Sequence, residues 1–262
     1  MPIRRTVRRV IDLPLRAKLV LSFLAVILFG GVLLFVIGTR IEHRTIVTLA
    51  EAKVRHDLAS AWTVYEERAN ALRDTLRLSA MLRFLRPALE QNSFGEAAGR
   101  LDGIRREFGL DVLSLADGSG RVVLRSRRPD GGPGGDASGN PFVARALRGE
   151  ASAGTRIVPP AELLAEGEDL AERARFQFVP TPMAAVRPEY SEDRGMMLEA
   201  AAPVLDDAGR LLGVLYGGLL FNRNYDLVDR VKEIVFKGEK YKGSDIGTAT
   251  VFQDDLRIAT NV

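Results

Sequence analysis

The sequence contains no cysteine, which excludes disulfides and thiolate metal sites. Histidine is nearly as scarce. His43 and His56 are the only two, and their separation is not the i, i+4 spacing of a helical zinc pair. Both fall on one predicted helix, so no Ser/His/Asp set can be assembled in the folded body and no catalytic residue is assigned. No metal and no cofactor is expected. A broad basic surface is also missing. Of 37 basic and 34 acidic residues, six and one lie within residues 1–18, leaving 31 against 33 in the remainder. A near-neutral body with a basic tail does not present the charged face that nucleic acid needs. The loop "RRPDGGPGGDASG" is rich in glycine, but it lacks the Gly-Lys-Ser/Thr ending and the strand–loop–helix context of a phosphate loop.

What the sequence does have is one long uncharged run, "LVLSFLAVILFGGVLLFVIGT", 21 residues from Leu19 to Thr39. As a helix it spans roughly 31 Å, the thickness of a bilayer's hydrocarbon core. It exceeds the apolar stretch of a cleaved signal peptide, and Ile37-Gly38-Thr39-Arg40 is a poor cleavage site. The basic residues that precede it predict a cytoplasmic N-terminus and an extracytoplasmic chain from residue 40 onward. That places the protein in a membrane.

Apolar residues then recur at Val47, Ala50, Val54, Leu58, Ala61, Tyr65, Ala69, Leu72 and Leu76, the stripe of an α-helix. No glycine or proline interrupts the pattern before Pro87, so one helix is expected from Ile41 to Leu85. The overlapping set Leu58, Trp62, Tyr65, Ala69, Leu72 and Leu76 alternates steps of four and three, the seam of a helical dimer. Two readings stand: a helix packed on its own domain, or one that also pairs with its twin.

Beyond the rod, a short amphipathic helix ends at Gly109. "DVLSLADGSGRVVLRS" reads as a hairpin turning at "DGSG". "NPFVARALRG" reads as a helix capped by Asn140, with Pro141 at its first position. "GTRIV" is a strand, "PAELLAEGEDLAERARF" a single helix on an insert closed by "VPTPMAAVRP", and "MMLEAAAPV" and "RLLGVLYGGLLF" are two strands joined by "DDAG". "NYDLVDRVKEIVF" is helical, and "TATVFQDDLRIATNV" is a last hairpin. Strands arriving as hairpins predict an α+β fold with an antiparallel sheet crossed by the long helix.

At "AAAPVLDDAGRLLGVLYGGLLFNRNYDLVDRVKEIVF" the sequence resembles the Cache family, the PAS-like extracytoplasmic sensor domains of bacterial receptors. The last hairpin resembles the opening of a second such module, and "LPLRAKLVLSFL" resembles the first membrane helix of sensor histidine kinases and chemoreceptors. The resemblance implies a basic tail at 1–18, a transmembrane helix at 19–39 and a signalling helix at 40–90. A first module at 91–225, then a connecting helix and the truncated start of a second at 226–262, would follow. It also implies small-molecule sensing for a membrane-bound histidine kinase, with a chemoreceptor or diguanylate cyclase as the alternative. A tethered binding protein without signalling output is the reading of another class.

For ligand contacts the candidates are Arg125, Arg127 and Tyr216. On a strand, Arg121, Val123, Arg125 and Arg127 would share one face, opposite Val122 and Leu124 packed on the rod. Guanidinium forks suit a carboxylate or other organic anion. The competing reading is a solvated edge strand. Tyr216 is either a hydroxyl for the same pocket or an ordinary core tyrosine. Gly217-Gly218 beside it leaves room for close approach.

Overall fold

In the computed structural model, residues 14–128, 134–178, 191–238, 240–245 and 247–261 are described. The basic tail at 1–13, part of the glycine loop at 129–133 and the proline-rich stretch at 179–190 lie outside them, as do the side chains of Val47 and Ala50. Two units are distinguished, one ending at Ala59 and one running from Ser60 to Val262.

Helix α1 runs from Leu15 to Ala80. Its segment Leu15–Val36 is long and apolar enough to cross a membrane, and none of it is buried. The helix closes at Ala80, before the expected Leu85, which instead opens a separate short helix α2, Leu85–Glu90. Pro87 explains the break. Its ring would clash with the carbonyl four residues earlier in a continuous helix, but is accommodated in a first turn. Helix α3, Gly95–Glu107, follows.

The central sheet has five antiparallel strands: β1 Val112–Asp117, β2 Val122–Arg125, β3 Ser152–Val158, β6 Gly195–Leu205 and β7 Leu211–Leu220. Two-residue strands β4 Phe176–Gln177 and β5 Ser191–Glu192 pair with each other. The sheet order is β2-β1-β7-β6-β3, antiparallel throughout, as the hairpin-rich sequence predicts. One face packs on α1, α2 and α3. Leu72, Leu76, Leu85 and Leu101 meet Leu113, Leu115, Leu198 and Leu215 in one buried cluster. Each such leucine contributes about 1.5–3 kcal/mol of burial. The Tyr65 hydroxyl adds a 2.9 Å hydrogen bond with Thr155 on β3. Along the expected stripe, Leu72 and Leu76 are buried, whereas Val54, Leu58 and Trp62 are exposed.

The other face carries helix α4, Pro141–Ala146, and the pair α5, Pro160–Glu166, and α6, Glu168–Ala174. The sequence predicts one helix here. Gly167, with extended backbone at φ 168° and ψ 144°, divides it in two. Helix α7, Asp226–Phe236, leads through the short pair β8 Lys240–Tyr241 and β9 Ser244–Asp245 to the hairpin β10 Thr250–Gln253 and β11 Leu256–Thr260. That hairpin, expected to open a second module, buries Ile258 in the core cluster shared with the sheet. Asn261 Nδ2 also donates to the Val228 carbonyl on α7 at 2.9 Å.

Candidate functional site

The β1–β2 register decides which side chains look away from α1. Leu115 pairs with Leu124, but Ala116 pairs with Val122, so Val123 is the extra residue of a bulge. A bulge of this kind turns the following side chain over. The strict alternation read from the sequence therefore holds for Leu124 and fails for Val122. Leu124 joins the core against α1, while Val122 lines a cavity on the opposite face together with Arg125. Arg125 sits opposite Ser114, and Ser114 opposite Tyr216, so the three form a row across the sheet.

The cavity, partly open to solvent, has a volume of ≈ 210 Å³ beneath α5 and α6. Its charged lining groups are Arg125, Asp136, Arg156, Glu162, Glu166 and Glu199. Two networks of hydrogen bonds occupy it. In the first, Arg125 Nε donates to Glu166 at 3.2 Å, and its Nη2 donates to the Gly134 carbonyl at 2.8 Å. Ser114 Oγ donates to the same carboxylate at 3.1 Å. In the second, Arg156 forks onto Glu199 at 2.7 and 3.0 Å and onto Glu162 at 3.2 and 2.7 Å. Asn140 Nδ2 donates to Glu199 at 2.9 Å. Its Oδ1 caps α4 by accepting from the Phe142 amide at 2.9 Å. One asparagine thus starts a helix, as its position in the sequence predicts, and holds a buried carboxylate in place.

Burial pushes the Glu166 carboxyl above the ordinary carboxylate range, and the pull of Arg125 and Ser114 does not cancel it. Burial acts against the Arg156 charge too. There the bonds to Glu199 and Glu162 prevail and hold the guanidinium above its usual value. The Tyr216 hydroxyl is driven far up, first by burial and then by the nearby Glu166 charge. At neutral pH it is an O–H donor, not a phenolate.

Of the three candidates from sequence, Arg125 and Tyr216 line the same cavity and Arg127 does not. Arg127 lies in the turn after β2, pairs with Asp169 and lines a separate depression with Asp102, Arg105 and Ser126. Arg121 is bridged to Asp136 across an isolated backbone pair. Gly218, two residues after Tyr216 and opposite Glu199 in the strand register, lets the strands approach closely: a Cβ there would run into the Leu198 carbonyl and lie 3.1 Å from Glu199 Cγ. Sequence reading missed Arg156, Glu162, Glu166 and Glu199. Two of them carried a signal, since Glu199 is the lone charge in "MMLEAAAPV" and Arg156 the lone charge in "GTRIV". A third groove of ≈ 690 Å³, with Arg73, Arg77 and Arg86 along it, lies beside the end of α1.

No family model matches the chain, and no curated protein matches it. Its structural neighbours are sensor domains of histidine kinases and chemoreceptors. The chain is similar to the periplasmic domain of Vibrio cholerae LuxQ, at 14% identity and a TM-score of 0.46, covering 79% of this chain and 78% of that one. It is similar to the sensor domain of the V. cholerae histidine kinase DctB, at 13% identity and a TM-score of 0.44, covering 68% and 57%. It is also similar to the ligand-binding domain of the Campylobacter jejuni chemoreceptor Tlp3 in complex with L-valine, at 12% identity and a TM-score of 0.42, covering 79% and 68%.

Proposed function

We propose that Ser60–Val262 is the extracytoplasmic input of a membrane-bound signalling receptor of the histidine-kinase type, and that it senses a small molecule in the cavity beneath α5 and α6. The single observation that supports this reading is the cavity itself. It is roofed by two short helices, floored by a sheet whose other face packs on α1, and lined by charged side chains whose positions are fixed by hydrogen bonds. Pre-positioned polar groups in a small, partly open cavity are what a ligand site needs. A chemoreceptor or diguanylate cyclase would use the same input. A tethered binding protein would share the cavity and lack the output.

The basic flank before the apolar segment supports a cytoplasmic N-terminus. A homodimer is supported by the exposed Leu58 and Trp62 on α1. Ligand binding changes a signal only through different affinities for two states, and α1 packs on the sheet that floors the cavity.

For the ligand, the guanidiniums of Arg125 and Arg156 support a small organic anion. Such a ligand takes Arg125 by displacing Glu166. A second reading has its own support: four carboxyl groups against two guanidiniums line the cavity, a balance that favours a ligand carrying a cationic group as well. A thermal-shift screen of organic acids, amino acids, amines and neutral metabolites on the detergent-solubilised chain tests both. A ligand at a hundred times its Kd adds about 2.7 kcal/mol, a rise of about 5–10 °C for a domain of this size. Stabilisation only by neutral compounds removes the charged-ligand reading. No stabilisation by any class removes the sensing reading.

A further inference from the structure

The helix pair over the cavity is fastened at a regular spacing. Glu162, Glu166, Asp169 and Arg173 follow steps of four, three and four. Each forms an ion pair with a group on the other side. Glu162 meets Arg156 at 2.7 Å, Glu166 meets Arg125 at 3.2 Å, Asp169 meets Arg127, and Arg173 meets Asp111 at 2.6 Å. The four partners come from β3, β2, the turn after β2 and the residue just before β1. Arg128 adds a bond from its guanidinium to the Leu164 carbonyl at 3.4 Å. Between the rungs, Leu163, Leu170 and Ala174 are buried against Val112, Val158 and Met197. Met197 and Glu199, on the same strand face, form part of the cavity floor.

We propose that α5 and α6 form an electrostatically fastened lid, and that this ladder of ion pairs controls access to the cavity. The proposal rests on the sensing reading for the purpose of the cavity, but its test requires no ligand. The rungs differ in kind. Arg125–Glu166 is sequestered, with 14% and 11% of the two side chains exposed. The carboxylates of the Arg156–Glu162 and Arg127–Asp169 rungs are 53% and 69% exposed and open to screening by salt. A packed layer held only by its leucines would not respond to ionic strength in this way. If anything, salt strengthens apolar burial. Ligand entry then fits the same device. An anion that takes the Arg125 guanidinium removes the sequestered rung, so binding and release of the lid are one event.

The absence of native cysteine makes the test direct. In a Met197→Cys variant the one thiol lies on the cavity floor, where Met197 is 2% exposed, and maleimide labelling reports lid opening. Raising NaCl from about 0.05 to 0.5 M, which shortens the Debye length about threefold, is expected to speed labelling severalfold. Backbone hydrogen exchange across 160–174 should accelerate in parallel, while β6 and β7 stay unchanged. In the triple variant Glu162→Gln, Glu166→Gln, Asp169→Asn, lid exchange is expected to rise roughly tenfold at low salt and to lose its salt response. Labelling of Met197→Cys and lid exchange of the parent that both ignore salt overturn the proposal, whatever the triple variant does. If the triple variant loses β6 and β7 protection as well, the salt series on the parent chain decides. A failed ligand screen with a salt-responsive lid would sink the sensing reading and leave the lid standing.

Discussion

Glu199 shows how a single buried charge is made tolerable. It is 6% exposed and lies on the interior strand β6, between β7 and the edge strand β3. Arg156 and Asn140 supply its hydrogen bonds. Removing one partner of a buried pair leaves the other uncompensated, at about 3–5 kcal/mol. Arg156→Ala should therefore lower the thermal midpoint by roughly 6–20 °C. Replacing both partners, as in Arg156→Met with Glu199→Leu, should cost less than the two single changes added together; additive losses would show that the pair is not coupled. Glu166 yields a pH prediction. Its folded carboxyl is raised above the ordinary value of 4.5, so the folded chain binds this proton at a higher pH than the unfolded chain. As pH falls through the window above 4.5, this group therefore adds stability. Glu166→Gln, neutral throughout, lacks that gain. The midpoint of the variant minus that of the parent should be greatest at neutral pH and shrink on acidification. A constant difference would contradict the assignment. Arg125 and Tyr216 were legible because charge and aromaticity stand out on an apolar strand. Arg127 was misplaced because strand alternation was carried past the end of β2. The three carboxylates and two arginines of the networks come together only through the sheet register and the placement of α5 over the sheet, which no local pattern states.

Among the elements, α1 carries two different surfaces on one periodic stripe. Leu76 is fully buried and Leu58 is 67% exposed, though both obey the same spacing. Leu76→Ala should cost about 2–5 kcal/mol in thermal unfolding, and Leu58→Ala close to nothing within one chain. If the exposed surface pairs two copies, Leu58→Ala and Trp62→Ala should lower the detergent-corrected mass in sedimentation from dimer towards monomer at unchanged fold; a parent that sediments as a monomer removes the pairing. The elements themselves were largely readable. The β1–β2 hairpin, the Asn140 cap, the Asp206 turn before β7 and the amphipathic α7 all follow from local residues. Three features were not. The Val123 bulge depends on the pairing partner, and the break at Gly167 depends on its extended backbone within an otherwise helical pattern. The burial of Ile258 depends on contacts with distant segments.

For the whole molecule, an apolar helical segment precedes a near-neutral body in which six charged side chains line one roofed cavity. Protease added to intact spheroplasts should reach the chain after residue 40 if the basic flank sets the orientation; protection of that region would reverse it. The central claim is that the cavity beneath α5 and α6 binds the sensed molecule through its arginine. The most direct measurement is calorimetric titration of the best thermal-shift ligand into three proteins: the parent, Arg125→Ala in the cavity, and Arg77→Ala in the groove beside α1. Loss of a charge-assisted contact of about 1.5–3 kcal/mol corresponds to a roughly 10- to 150-fold weaker Kd for Arg125→Ala. Arg77→Ala should bind within about twofold of the parent. Parent-like binding by Arg125→Ala, with affinity lost in Arg77→Ala, would place the ligand in the other groove and contradict the account.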